Sequence, residues 1–342
     1  MKEAFGVLPS GEQAFLYTIR CGAISAQISD FGATLVRLYV PDRAGKLADV
    51  VLGFSDVNSY RTSTIYLGST VGRNSNRIAG ATFLLGDKQV RLKANDNGNS
   101  LHSGPDSYAF RLWQVESWEE SSITFRLESP NGDQGFPGNA QIRVTYTLES
   151  GGALCLTYDA VCDQDTVFNM TNHAYFNLAG HDHPQSAMDQ VLTIPARSFI
   201  VSDAYTVPTG ELRSVVNTPL DFRAPKPIGS RVDEDYETLK LQRGYDHTFE
   251  VFTEPAAIMT DPVSGRTMAV VTDCPGIHLY SGNYLNNEAG KDDVTYCRRS
   301  GVCLETQFWP DAVHHPQWLQ PVFKAGERYR SRTRYIFSCS TV

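Results

Sequence analysis

The chain has 342 residues, of which 41% are hydrophobic and 20% are charged, proportions typical of an ordinary globular protein. Its formal net charge of −8 argues against nucleic acid or an anionic membrane as a partner, because both carry negative charge. No segment approaches the roughly 20 apolar residues of a membrane helix, and the first seven residues carry no apolar core of a signal peptide.

An alternation of apolar and polar residues runs along the chain and predicts β-strands. The alternation is clearest at 23–29 and 141–148, and similar runs follow at 110–115, 123–127, 154–161, 191–194, 268–272, 277–280 and 329–337. Gly86-Asp87 and Gly151-Gly152 separate such runs and predict hairpins. Asp56 is the predicted cap of a short helix over 56–61. About 20 or more short strands predict an all-β fold, a large antiparallel β-sandwich with few short helices.

The segment 217–244 is rich in Pro and in charged residues and predicts a long excursion over the surface. Strands of the same pattern resume after it, so it is not a domain linker. We therefore expect residues 1–342 to form a single domain.

The seven cysteines are scattered without paired spacing. Several lie in apolar strand-like runs such as 153–156 and 302–304, where a thiol behaves as a small hydrophobe. This usage indicates a reduced, cytoplasmic protein with no zinc or redox motif.

Two polar clusters in the first third of the chain interrupt the strand pattern. The segment 72–78 holds Arg73, Asn76 and Arg77, whose directional donors suit sugar hydroxyls, although a surface turn with solvated arginines explains them equally well. The loop 99–104 holds His102, and a lone loop histidine is more often a surface residue than a catalyst.

A third cluster, 169–178, places His173 and Tyr175 among amide and aromatic side chains. Aromatic faces can stack on a sugar ring while amides bind its hydroxyls. The alternative is the end of a core strand whose polar side chains form hydrogen bonds with the backbone of a neighbouring loop. Asp246, in Tyr245-Asp246-His247, adds a carboxylate beside an imidazole.

The fourth cluster is the strand-like segment 301–307. Alternation places Glu305 on the same face as Cys303 and Gln307, and a partly buried carboxylate is a stronger proton acceptor than one in water. The pattern alone slightly favours a carboxylate on the solvated face of an edge strand. None of the histidines shows the spacing of a metal motif, so we expect no metal site.

Together, and in this order, these segments resemble the aldose 1-epimerase family, the galactose mutarotases. The matching segments are 29–35, 49–54, 71–78, 101–104, 133–138, 171–178, 245–247, 280–283 and 304–312. Each is moderately specific, but the ordered set spans most of the chain. The resemblance implies a large antiparallel sandwich with the sugar bound on one concave face, in agreement with the strand pattern.

The resemblance also implies a reaction and its residues. The enzyme would interconvert the α and β anomers of free aldoses such as galactose and glucose by opening and reclosing the ring, without a cofactor. Glu305 would be the base and His173 the acid. Sugar contacts would come from a further set of residues: Asn76, Arg77, His102, Tyr175, Asp246, His278 and, as a helper, Arg73.

Two positions depart from the family pattern. His278 occupies a position where Gln is common in the family, so the contact that this side chain makes in the site differs from the usual one. Ser103 occupies a position where Gly is usual, a change that strains the loop if the backbone there requires positive φ. Three other functions stay open on the residues: a hexose-6-phosphate epimerase of the same fold, a carbohydrate-binding module without catalysis, and a glycoside hydrolase using Asp246 and Glu305. Oligomeric state and the preferred aldose are not indicated.

Overall fold

The regular secondary structure of the chain consists mainly of antiparallel strands. The structure is a computed structural model that describes residues 1–339. Over those residues the strands are β1 Lys2–Val7, β2 Gln13–Cys21, β3 Ile24–Ser29, β4 Thr34–Pro41, β5 Leu47–Asp49, β6 Thr70–Val71, β7 Arg77–Ile78, β8 Thr82–Leu85, β9 Lys88–Arg91, β10 Ser100–Leu101, β11 Gln114–Trp118, β12 Ser122–Ser129, β13 Ala140–Glu149, β14 Ala153–Cys162, β15 Thr166–Val167, β16 Thr171–Asn172, β17 Tyr175–Phe176, β18 Val191–Thr193, β19 Ser198–Ser202, β20 Pro208–Ser214, β21 Lys226–Pro227, β22 Asp246–Glu250, β23 Ala257–Thr260, β24 Arg266–Thr272, β25 Gly276–Tyr280, β26 Glu288–Ala289, β27 Thr295–Tyr296, β28 Val302–Gln307, β29 Val322–Phe323 and β30 Arg328–Cys339.

Helical structure is short. The α-helices are α1 Val57–Thr62 and α2 Glu237–Gln242, and single 3₁₀ turns lie at Ala79–Ala81, Tyr108–Phe110, Asp133–Gly135, Ala187–Asp189, Ile228–Ser230, Lys291–Asp293 and Ala312–His314. Within residues 1–339 no helix is long and apolar enough to cross a bilayer.

Three larger sheets organise the strands. The largest has nine strands in the order β11-β12-β13-β14-β30-β24-β23-β18-β21; a six-stranded sheet has the order β17-β28-β25-β22-β19-β20, and β1 to β5 form a meander. The six-stranded sheet packs on the nine-stranded one: the ring of Tyr335 on β30 lies 5.0 Å from that of Phe176 on β17. The Tyr335 hydroxyl also donates to the carbonyl of Leu304 on β28. This pairing of two sheets confirms the predicted sandwich.

The two faces of β28 have different surroundings. Val302 and Leu304 point into the main core, whereas Cys303 and Glu305 occupy the opposite face, as alternation predicts. All six residues of β28 are buried, and β28 lies between β17 and β25. The interpretation of Glu305 as a solvated carboxylate on an edge strand is therefore wrong.

Several local predictions are confirmed. Asp56 caps α1, with its Oδ1 accepting hydrogen bonds from the backbone N–H groups of Asn58 and Ser59. Hairpins join β8 to β9 and β13 to β14 at the predicted turns.

Two predictions differ from the structure. A strand at 110–115 begins only at Gln114, because Tyr108–Phe110 form a 3₁₀ turn and the Trp113 indole N–H donates to the Tyr108 carbonyl. The segment 217–244 is more than a surface excursion, since Phe222 and Ile228 join the main core. That packing supports a single domain, which stays a prediction.

Candidate active site

Eight of the nine residues singled out in the sequence line one pocket of about 440 Å³. They come from strands and loops far apart in the chain: Asn76, Arg77, His102, His173, Tyr175, Asp246, His278 and Glu305. A larger cavity of about 630 Å³ lies elsewhere, beside His181 and Arg266, but it contains none of these residues. The smaller pocket is therefore the candidate active site.

The six-stranded sheet supplies one wall of this pocket through its register. His278 on β25 lies directly opposite Glu305 on β28, and Tyr175 on β17 lies opposite Cys303. Residues paired across antiparallel strands project on the same face. The sheet therefore presents the Glu305 carboxylate, the His278 imidazole and the Tyr175 ring side by side toward the pocket.

Glu305 and His173 place a carboxylate and an imidazole side by side in the pocket. Glu305 Oε1 lies 3.7 Å from His173 Nε2. The Glu305 side chain is only 2% exposed, and its Oε2 atom is buried without a hydrogen-bond partner. A buried carboxylate oxygen without a partner is costly, and it is an acceptor available to a ligand.

The position of His173 is fixed by its backbone and by aromatic rings. Its N–H donates to the Ser69 carbonyl and its carbonyl accepts from Gly68. The imidazole lies nearly parallel to the rings of Tyr175, at 5.0 Å, and Tyr66, at 6.0 Å. These contacts hold the plane of the imidazole in one orientation beside Glu305.

His102 is held as a neutral donor. Its Nδ1 accepts a hydrogen bond from the backbone N–H of Asn76, which leaves the proton on Nε2. Burial, reinforced by the nearby His173 and Arg77, lowers the pKa of His102 well below its usual value. The ring therefore stays uncharged and offers one N–H to the pocket.

Asn76 ends the loop that precedes β7, and Arg77 is the first residue of that strand. The Arg77 guanidinium forms an ion pair with Asp96 through Nε, at 2.7 Å, which orients the group and leaves its Nη donors for a ligand. Asn76 Oδ1 accepts from the Arg77 backbone N–H. The two side chains are thus positioned together.

Asp246 is held by the residue that departs from the family pattern. His278 Nε2 lies 2.7 Å from Asp246 Oδ1, and His278 Nδ1 lies 2.8 Å from the Thr248 hydroxyl. Burial favours the neutral Asp246 carboxyl, but the hydrogen bond from His278 together with the nearby charges of His278 and Arg77 lowers the pKa of Asp246 below its usual value. His278 therefore contacts the pocket and keeps Asp246 an ionised acceptor.

Arg73 does not enter the pocket, contrary to its expected role as a helper in sugar binding. Its guanidinium is buried, with Nη1 donating to the Pro137 carbonyl and Thr166 hydroxyl and Nη2 donating to the Ser129 hydroxyl. Because these donors are already satisfied, Arg73 stabilises the loops behind the pocket.

Ser103 does adopt a left-handed backbone, with φ of 73°, the condition under which the usual Gly has an advantage. Its hydroxyl donates to the Asn74 carbonyl and accepts from the Asn74 N–H. These two hydrogen bonds offset the backbone cost and attach the His102 loop to the Arg73 loop.

Tyr66 also lines the pocket, although no sequence pattern indicated it. Its ring lies 4.8 Å from that of His102 as well as parallel to His173. Its φ of 56° is unusual for an aromatic residue and is typical of strain at functional sites. Nothing in a single sequence reports such a backbone.

Known proteins resemble this chain in sequence and in fold. The family model described as "Aldose 1-epimerase" matches residues 16–336. The chain is 38% identical over 343 residues to the galactose mutarotase of Mus musculus, covering 98% of both. It is 33% identical to the aldose 1-epimerase of Escherichia coli strain K12, covering 98% of this chain and 99% of the relative. The crystal structure of an aldose epimerase homologue from C. elegans superposes with a TM-score of 0.89 at 30% identity, covering 96% of this chain and all of that one.

Proposed function

The chain belongs to the aldose 1-epimerase family, a family of isomerases, and on that basis we propose that it interconverts the α and β anomers of free aldohexoses, with Glu305 as base and His173 as acid. The observation that carries the assignment is the pair itself. The buried Glu305 carboxylate, with one oxygen that has no hydrogen-bond partner, lies 3.7 Å from an imidazole nitrogen of His173. Both side chains line the pocket of about 440 Å³.

The reaction uses one proton acceptor and one donor together. Glu305 accepts the proton of the O1 hydroxyl while His173 gives a proton to the ring oxygen; the C1–O5 bond breaks and C1=O1 forms. Rotation about C1–C2 exposes the other face of the aldehyde, and reclosure reverses both transfers. Each positioned group contributes on the order of 10²–10⁴-fold in rate, and neither is consumed.

The remaining pocket residues suit sugar binding. His102 donates through Nε2 on the ring-oxygen side, Arg77 and Asn76 donate to hydroxyls, and Asp246 accepts from them. Tyr175 offers a ring beside His173. We assign these residues to binding and orientation.

The alternative functions have less support. A sugar phosphate needs concentrated positive charge, yet among the described residues that line the pocket Arg77 is the one Arg or Lys, and it is already paired with Asp96. A glycoside hydrolase would use Asp246 as a second carboxylate, but His278 already engages that group. A pure binding module gains nothing from an unpartnered buried carboxylate.

We also propose a cytoplasmic location, on the strength of cysteine usage. The seven cysteines are free thiols, and four of them are buried. Cell fractionation with compartment markers tests this. Recovery with extracytoplasmic markers would contradict it.

Polarimetry tests the proposed reaction. Freshly dissolved α-galactose or α-glucose should reach its equilibrium rotation faster with the protein than in buffer, in proportion to protein concentration. Glucose 6-phosphate serves as the comparison substrate. Rates equal to those in buffer for every free aldose would contradict the proposal.

A further inference from the structure

A cysteine thiol lies directly beside the proposed acid–base pair. Cys303 Sγ is 3.5 Å from His173 Nδ1, and alternation along β28 places Cys303 on the same face as Glu305. One atom each from His173, Cys303 and Glu305 all lie within 4.8 Å of one another, and all three residues are buried. The proposed reaction uses the imidazole and the carboxylate and gives the thiol no role.

We propose that His173, Cys303 and Glu305 form a binding site for a thiophilic divalent cation such as Zn²⁺ or Cd²⁺, and that the bound ion inhibits the enzyme by occupying its catalytic pair. Nitrogen, sulfur and carboxylate oxygen together favour zinc-type ions over Mg²⁺ or Ca²⁺, which prefer oxygen ligands. The inhibitory part rests on the proposed function, whereas the binding part does not.

The geometry requires only small movements. Tetrahedral zinc with bonds of about 2.0–2.3 Å separates its ligand atoms by about 3.3–3.8 Å. The present spacing, at most 4.8 Å, closes by side-chain rotation of about 1 Å. The strand backbone that holds Cys303 and Glu305 stays in place.

An independent observation points to a ligand at this position. Glu305 Oε2 is buried without a hydrogen-bond partner, so binding a cation satisfies an atom that the folded chain leaves unpaired. Because His173 and Glu305 line the pocket, a water from the pocket would supply the fourth ligand. On binding, the Cys303 thiol releases its proton to solvent and the thiolate bonds the metal.

Inhibition follows from which atoms the ion occupies. An ion bonded to either nitrogen of His173 prevents the ring from becoming an imidazolium, so the ring loses its capacity as an acid toward the ring oxygen, and a metal-bound Glu305 cannot accept a proton from O1. The ion therefore blocks the two positions that the sugar must reach, and a bound aldose should oppose metal binding.

The direct test uses the full chain, freed of metal with a chelator, and Cd²⁺ alone. Titration should produce the ultraviolet thiolate-to-cadmium charge-transfer band, saturating at one equivalent. Cys303→Ser should abolish that band. The matched control, Cys297→Ser, removes a more exposed thiol outside the pocket and should retain it.

The functional test measures Zn²⁺ inhibition of anomer exchange, with each variant normalised to its own metal-free rate. Losing one ligand should raise the inhibition constant of Cys303→Ser by at least about tenfold, whereas Cys297→Ser should match wild type. Mg²⁺ should not inhibit. Circular dichroism checks the fold, and Cys303→Ala replaces the serine variant if that variant unfolds.

Two results would overturn the proposal. One is a wild-type protein without the cadmium band, and the other is Cys303→Ser with an unchanged band and inhibition constant. A protein that binds Cd²⁺ through Cys303 but lacks anomer exchange upholds the metal site and contradicts only the proposed function.

Discussion

Replacing Glu305 by Gln preserves the shape of the side chain and removes its capacity to accept the O1 proton. The Glu305 side chain is 2% exposed and its Oε2 atom has no hydrogen-bond partner, whereas the Asp246 and Asp96 carboxylates of the same pocket are already engaged by His278 and Arg77. We expect kcat to fall by about 10²–10⁴-fold, equivalent to about 3–5 kcal/mol of transition-state stabilisation.

Stability and binding should change little. A buried neutral amide costs less than a buried carboxylate without a hydrogen bond to one of its oxygens, so the thermal midpoint of the variant should equal or exceed that of wild type. Sugar contacts from Arg77 and Asp246 remain. The variant should therefore bind galactose with an affinity near that of wild type, measured by calorimetry.

The assay is polarimetry of fresh α-galactose, corrected for the buffer rate. Glu250→Gln is the matched control, because Glu250 lies in the same sheet, on β22, but outside the pocket. Its rate should stay within about twofold of wild type. A Glu305→Gln variant that binds sugar and retains more than a tenth of the wild-type rate would refute the assignment of the base.

Three further predictions concern residues around and beneath the pocket. His278→Ala removes the donor that holds Asp246 and should raise KM by about tenfold or more with a smaller change in kcat, whereas His278→Gln, which keeps a donor, should recover most of the affinity in steady-state kinetics. Arg73→Met loses several buried hydrogen bonds and should lower the free energy of unfolding by about 2–4 kcal/mol, with KM unchanged for the folded fraction. Burial raises the pKa of Asp30 to about 6, so the folded chain holds this proton more tightly than the unfolded chain does. The stability that Asp30 contributes should therefore be greatest below pH 4 and should be lost as the pH rises through about 6. In urea unfolding, the free energy of unfolding of wild type minus that of Asp30→Asn should fall over this range.

Each of these has a contrary result. Equal KM for His278→Ala and wild type would remove His278 from the positioning of Asp246. A raised KM for Arg73→Met at full stability would restore the sugar-binding role expected from the sequence. If the free energy of unfolding of wild type minus that of Asp30→Asn rises between pH 4 and 6, the assigned direction of the pKa shift is wrong.

The sequence by itself determined the fold class and most of the strands. Period-two alternation is a local property, because successive side chains of a strand point to opposite faces, so strands such as 141–148 and the two faces of β28 were predictable. The capped helix after Asp56 and the glycine turns are local as well. The ordered motif segments also identified eight residues that the fold gathers into one pocket.

Only the tertiary structure decided what those residues contact. Alternation cannot show whether a strand is at an edge or in the interior of a sheet, so the sequence pattern favoured a solvent-exposed Glu305. In the structure β17 and β25 lie on either side of β28, and Glu305 is buried. Arg73 and Arg77 lie in one basic motif, but burial directs the first to loop carbonyls and the second to the pocket. Tyr66 and Cys303 reach His173 through pairings between distant segments, and such long-range contacts leave no trace in the spacing of a single chain.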